Sequence, residues 1–165
     1  MQSNDKLQSV SQADYGDQYR DHCLSMYLAY VGSADSISDR RHSANSFFLT
    51  VNTALLGITG YLQNAGADLL WLVAIAGMVL SYTWWRLINS YRSLNTAKFQ
   101  VIHEIEQQLP FAPYDAEWEQ LERGQEAKIH TPFSKVEAWV PIVFMTLHAV
   151  AFLMIVVTYF YGKPF

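Results

Sequence analysis

WWRLINSYRSLNTAKFQVIHEIEQQLP, residues 84–110, begins as the tail of an apolar run and ends as a charged helix of the soluble kind. No Gly or Pro interrupts it between Trp84 and Leu109, so one helix must be greasy at one end and carry Arg86, Arg92, Lys98, Glu104 and Glu106 along the rest. A helix that leaves a bilayer near Arg86 and continues through water as far as Pro110 meets both demands. Along its projecting part Leu87, Tyr91, Leu94, Val101, Ile102, Ile105 and Leu109 recur at helical spacing, an apolar stripe that needs a partner to bury it.

The rest of the chain repeats the contrast. Its 165 residues are 51% hydrophobic and 16% charged, which would suit a globular domain if the two were mixed, and they are not. Ala44 to Leu62, Leu69 to Trp85 and Ala138 to Tyr161 contain no charged residue. At about 1.5 Å per residue each run crosses or nearly crosses a hydrocarbon layer of about 30 Å. A soluble helical bundle is the competing reading, since Asn45, Asn52 and several threonines interrupt the first run. A domain this small has little interior in which to hide three such helices. The fold class expected is all-α and integral to a membrane, with three transmembrane helices, a helical cytoplasmic region, and the second span continuing as a long cytoplasmic helix. The polar opening MQSNDKLQSVSQADYGDQYRD has no apolar core of the signal-peptide kind, so the first span is the expected targeting signal.

Orientation follows from the basic residues. Lys6, Arg20, Arg40 and Arg41 precede the first run, and Arg86, Arg92, Lys98, Arg123, Lys128 and Lys135 lie between the second and third, leaving only Lys163 elsewhere. Ten of eleven on one side place that side, and the amino terminus, in the cytoplasm. Trp71, Trp84, Trp85, Trp139, Tyr159 and Tyr161 lie near span ends, where amphipathic rings settle at the interface. The net charge of −4 gives no surface for nucleic acid. The single cysteine, Cys23, excludes an intramolecular disulfide and argues against a thiolate-rich metal site.

On the cytoplasmic side, Tyr19, Cys23, Met26, Tyr27, Tyr30 and Val31 mark an amphipathic helix from about Gly16 to Val31 that ends at Gly32. Ser36 with Asp39 resembles a capping box, starting the first membrane helix near Asp35. Pro110 and Pro113 turn the chain into a short helix around Ala116 to Arg123, stopped at Gly124. Ser134 caps the third membrane helix with Glu137, and Pro141 lies two turns in. Tyr91, Leu94, Lys98, Ile102, Ile105 and Trp118 are the residues expected to pack this cytoplasmic crown, with Lys98 neutralised by Glu104, Glu117 or Glu137.

The residues Trp85, Tyr91, Leu94, Asn95, Lys98, Phe99, Ile102, Glu104, Glu106, Leu109 and Pro110 form a pattern with the later Pro113, Tyr114, Glu117, Trp118, Pro132, Phe133, Glu137 and Pro141. That pattern resembles the RipA family of small octameric membrane proteins, closely over about residues 84 to 145 and loosely over the first span. The resemblance implies a bacterial inner-membrane protein with three spans, assembled as a homo-oligomer, an octamer in that family's manner, and tied to bacterial adaptation and intracellular growth. It carries over no catalytic residue. The organisation expected is a cytoplasmic segment over 1–35, a first membrane helix over 36–62, a periplasmic turn at 63–68 and a second membrane helix over 69–109. A cytoplasmic connector over 110–135, a third membrane helix over 136–161 and a periplasmic tail at 162–165 complete it.

Independent of that resemblance, Asn45, Asn52 and Thr59 fall seven residues apart, with Ser46, Thr53 and Gly60 beside them. Seven residues is nearly two turns, so the six share a polar, small-residue face that is costly against lipid. Gly77 and Ser81 add a small-xxx-small pair for close helix contact. That face is packing within one subunit, a seam between subunits, or the lining of a water-filled pathway, and the sequence does not choose. His148, midway along the third span, is a proton relay or gate, or a neutral imidazole bonded to Asn52 or Tyr82; the second is the more ordinary role. His103, Glu104, Glu106 and His130 match no metal-ligand spacing and read as exposed groups on a cytoplasmic helix. No G-x-S-x-G, H-E-x-x-H or phosphate loop is present, so no enzyme activity and no cofactor is expected. The leading function is a homo-oligomeric membrane scaffold whose crown engages a cytoplasmic protein partner, with membrane lipids and its own copies as the other partners. The runner-up is an oligomeric pore or channel of the kind a stress or defence effector would form; an enzyme at the membrane ranks last.

Overall fold

A computed structural model of the chain describes residues 7–64, 70–121 and 136–162. Of the turn expected at 63–68, residues 63 and 64 continue the preceding helix and the rest lie outside the described residues, as do residues 122–135 of the expected connector, with Gly124 and Ser134, and the last residues of the tail. The described elements are all helical: α1 (Gln12–Tyr15), α2 (Tyr19–Asn64), α3 (Leu70–Glu106), α4 (Pro113–Gln120) and α5 (Trp139–Tyr161). The chain divides into two units, Met1–Asp39 with Arg92–Pro132, and Arg40–Tyr91 with Phe133–Phe165.

The second unit holds the apolar segments. Two helices are long and apolar enough to cross a membrane, α3 with mean hydropathy 1.3 over its most apolar window and α5 with 2.5. Only 11% of that window of α5 is buried within the chain, the reverse of a soluble core helix. Val143, Leu147, Val150, Leu153, Met154 and Val157 are all exposed, a face that water would not tolerate. The first of the three expected spans, in the later half of α2, does not reach the same apolarity, because its asparagines, threonines and serines lower the mean. α3 has 37 residues and so a length of about 55 Å, more than a hydrocarbon layer accommodates. The continuous helix expected from Trp84 onward is therefore observed, but it stops at Glu106 rather than at Leu109. There the amides of Gln108 and Leu109 bond to Ile105 and Glu106, tightening the last turn ahead of Pro110.

The core of this unit is Phe48, Trp84 and Ile88, with Phe144 and Leu80 against them. Phe48 and Trp84 stack at 5.9 Å between centroids, and Phe144 lies 6.1 Å from Trp84. Trp84 is 2% exposed, so it is a core residue and not the interfacial ring expected from its position. Its indole N–H donates to Asn45 Oδ1 at 2.8 Å, which is what allows a polar-edged ring to be buried there. Pro141 is buried in the first turn of α5, where the missing N–H has no helical acceptor to lose. Near it Glu137 lies 3.6 Å from Arg41, a partly exposed pair of modest value.

The first unit is built from the early part of α2, the later part of α3, and α4. Tyr27, Ala34 and Ile102 form its buried apolar cluster, with Tyr30, Val31, Phe99, Ile105, Leu109 and Tyr114 packed around them. α2 does not end at Gly32: it runs on through Gly32 and Ser36, whose hydroxyl bonds back to the Gly32 carbonyl at 2.9 Å instead of capping a new helix. One mid-helix glycine costs about 1 kcal/mol. Burial of Tyr27, Ala34 and Ile37 on either side of it offsets that. The break falls earlier, at Gly16, which adopts φ 91° and separates α1 from α2.

The short helix lies at Pro113–Gln120 rather than 116–123, with Pro113 in its first turn. Its anchor is Glu106, 1% exposed. One carboxylate oxygen accepts from Tyr27 Oη at 2.8 Å and from the Tyr114 amide at 3.1 Å, and the other accepts from the Asp115 amide at 2.9 Å. A negative group on the free amides of a first helical turn is favourable in itself. Among the described residues Lys98 is met by no acid: its ammonium donates to Ser33 Oγ at 2.8 Å and sits 4.4 Å from the centre of the Tyr30 ring. Leu94, expected in the crown core, is 48% exposed, because the buried face of α3 is centred on Phe99, Ile102 and Glu106.

Burial, followed by the bond to the Glu106 carboxylate, pushes the Tyr27 phenol above its usual range. The folded state thus holds this proton more tightly than the unfolded state, so the associated stability is complete below about pH 10 and declines as pH rises beyond it. Tyr27→Phe is expected to lower the unfolding free energy of the purified protein at neutral pH by about 2 kcal/mol. It should also flatten the alkaline fall of a denaturant midpoint measured from about pH 9 upward; an unchanged alkaline slope would show that another group governs it.

Candidate functional site

In the membrane-type unit the polar residues of α2 separate into two faces. Asn52 and Thr59 are buried, at 0% and 3% exposure, and Asn45 is half-buried on the indole of Trp84. Ser46, Thr53 and Gly60, one position on, are exposed in the protomer. The step of about 100° between successive helical residues is enough to place neighbouring heptad stripes on opposite sides of a contact. The hydroxyls of Thr53 and Thr59 both return to their own helix, to Leu49 O and Leu55 O at 2.8 Å.

Asn52 is the centre of the inward face. Its amide N–H donates to the Phe48 carbonyl at 2.9 Å, one turn back, which fixes which end of the amide points away from the helix. Its Oδ1 then accepts from Ser81 Oγ at 2.8 Å and faces His148 Nε2 at 3.2 Å. An amide oxygen only accepts, so the network places the imidazole proton on Nε2 and leaves Nδ1 as a bare acceptor. Nδ1 is buried with no hydrogen-bond partner among the described residues. Asn52, Ser81 and His148 are each 0% exposed, and each comes from a different helix.

Gly77 makes room for this arrangement. A Cβ there would lie inside the His148 ring, whose Cε1, Nδ1 and Nε2 are the nearest atoms. The Gly77 and Ser81 pair thus receives an imidazole at one position and an amide at the other, one turn apart. Interhelical hydrogen bonds in a bilayer average about 0.6 kcal/mol, with values to about 1.7, so the trio fixes register more than it adds stability. The trio has no carboxylate, thiol or activated hydroxyl, and Ser81 donates to an amide rather than to a base, which is not a nucleophile's arrangement.

The crown presents a different surface. Along α3 and α4 a groove of about 560 Å³ is lined by Asn95, Phe99, His103, Tyr114, Glu117 and Trp118 among others. Phe99 and Tyr114 meet edge to face at 5.6 Å, and His103 Nδ1 lies 3.9 Å from Asp115 Oδ1. Trp118 is 37% exposed above it. Of the residues expected to pack the crown, Ile102 is fully buried and Ile105 and Lys98 join the packing, whereas Trp118 forms the groove wall and Leu94 faces outward. Tyr91 is half-buried and belongs to the other unit. Glu106 and Tyr27, whose bond holds the crown together, are not among the six packing residues expected from the sequence. Glu106 sits four residues after Ile102 on the apolar stripe, and that spacing is the available signal. Among the described residues no group of His, Cys, Asp or Glu is arranged to hold a metal ion; His130 lies outside them.

A family model described as the octameric membrane protein family (8xMP) matches residues 24–157, and the chain belongs to that family. No curated protein and no solved structure matches it. The matched range takes in the inward trio on α2, α3 and α5 as well as the crown groove.

Gly77→Ala forces a methyl group into the imidazole and is expected to cost about 1–3 kcal/mol, read as a lower melting temperature of the solubilised protein. His148→Ala in the same chain should recover most of that loss. Independent, additive losses from the two substitutions would mean that they do not touch.

Proposed function

We propose that this member of the octameric membrane protein family is a non-enzymatic homo-octameric scaffold of the bacterial inner membrane, whose cytoplasmic crown engages a protein partner during adaptation or stress. Each protomer crosses three times in this reading, with the later half of α2 as the first span. Supporting that span, Asn52 of α2 is bonded to side chains of both helices that meet the length and apolarity of a membrane crossing. The orientation proposed, amino terminus in the cytoplasm and carboxyl terminus in the periplasm, is supported by the basic residues, ten of the eleven Lys and Arg falling before the first apolar run or between the second and third.

The observation that carries the scaffold reading is the allocation of polar groups. Buried Asn52, Ser81, His148 and Glu106 are engaged in holding helices together, and the groups left presented include a half-exposed Trp118 on a groove, with Met26, Leu28, Leu24, Leu94 and Phe111 exposed elsewhere on the crown unit. Exposed aromatic and aliphatic groups on a rigid support are the usual elements of a protein contact. A photo-crosslinking residue in place of Trp118, in growing cells, is expected to capture one recurrent protein other than the chain itself; adducts to self alone would refute the partner.

A pore is the second reading, favoured by the exposed stripe Ser46, Thr53 and Gly60. Repeated around an eightfold axis, such a stripe can line a wet path. Under the scaffold reading, liposomes carrying the purified assembly stay tight to ions and small dyes. Flux that changes with Thr53→Leu at unchanged assembly would move the pore to first place.

A further inference from the structure

The crown groove sets aromatic rings beside polar groups, His103, Gln100 and Thr96 among them, and holds one acceptor that none of them meets. Asn95 Oδ1 is buried on its floor with no hydrogen-bond donor among the described residues. Phe99, Tyr114 and Trp118 contribute aromatic surface, and Glu117 is an exposed carboxylate at the edge. Among the described residues no Lys or Arg lines it. Lys98, on the same helix, is turned to Ser33 and the Tyr30 ring. The walls are fixed before anything binds: Glu106 holds the first turn of α4, and Phe99 packs on Tyr114. What is missing is a group rich in donors, positively charged, and flat enough to lie against aromatic rings.

We propose that this groove is a docking site for an arginine side chain carried on a protein partner, with the guanidinium laid against the Trp118 ring, one N–H directed to Asn95 Oδ1, and the Glu117 carboxylate at the edge as the nearby negative charge. The proposal rests on the scaffold reading and names the chemistry of its partner. A guanidinium is planar, weakly hydrated and stacks on aromatic faces while its edge bonds to carboxylate and carbonyl oxygens. A lysine ammonium is a compact, strongly hydrated charge that satisfies the acceptor but not the rings. The groove volume of about 560 Å³ exceeds the need of one side chain and leaves space for the residues beside it. Trp118 and Glu117 keep it open to solvent along α4, as suits a side chain delivered on a polypeptide.

The test uses the full-length assembly in nanodiscs, labelled with 5-fluorotryptophan at its five tryptophans. The Trp118 signal is assigned by its loss in Trp118→Phe. The probes are the peptide acetyl-Leu-Arg-Leu-amide and its citrulline counterpart, the same in shape but uncharged. The arginine peptide is expected to shift the Trp118 signal saturably and leave the others in place. The citrulline peptide and the Glu117→Gln protein should each bind about tenfold more weakly. Absence of a shift, or equal affinity for the two peptides, overturns the proposal. The outcomes are separable from those of the scaffold reading: a negative titration with a recurrent partner crosslinked at Trp118 removes the arginine and keeps the partner, whereas a positive titration without crosslinks does the opposite.

Discussion

A carboxamide halfway along a hydrophobic segment brings two donors and two acceptor positions into a place with no water to satisfy them. Asn52 answers this by bonding back to Phe48 and forward to Ser81 and His148, so that one side chain ties three helices. The rest of the membrane-type unit is arranged around that choice. Gly77 lacks a side chain where the imidazole lies, and Trp84 is buried because Asn45 accepts its N–H. An apolar residue at position 52 would leave Ser81 and His148 without their acceptor, which is the more damaging half of removing a buried hydrogen-bond pair.

The crown repeats the same logic with a charge. Glu106 is taken out of water but keeps three donors, one from a tyrosine on α2 and two from the start of α4. A buried carboxylate is tolerable under such conditions and strongly unfavourable without them. The consequence is local order: α4 is held at its first turn, and the groove beside it is formed without a ligand. Preformed walls reduce the ordering cost of association.

Much of this is legible in the sequence, and the failures have identifiable causes. The unbroken stretch from Trp84 predicts the long α3, and helical periodicity predicts the inward position of Ile102. The octameric family resemblance agrees with the family to which the chain belongs. Gly32 resembles a stop, but a single glycine is a weak signal against buried residues on both sides of it. Trp84 resembles an interfacial ring when position along a span is considered without the partner its indole can find. Glu106 reads as exposed when its charge is given more weight than its register on the apolar stripe. The bond between Asn52 and His148 is one of two pairings the sequence allows, and helix rotation, which periodicity within one helix does not supply, decides between them. The separation of the two heptad stripes on α2 is invisible for the same reason, since adjacent residues differ by about 100° and six positions at heptad spacing read as one face.

The inward stripe of α2 is closed against the protomer's own helices, and the packing of the membrane-type unit follows from that closure. Its most direct test is thiol accessibility at Thr59, 3% exposed and on the same face as Asn52. In a Cys23→Ser background, which removes the chain's only natural thiol, Thr59→Cys is introduced and the native assembly is treated with a small water-soluble methanethiosulfonate. The expected result is no modification until the protein is unfolded, beside ready modification of an exposed control position on the crown unit, Ser25→Cys. Rapid modification of position 59 in the native assembly would place water against that face and contradict its closure.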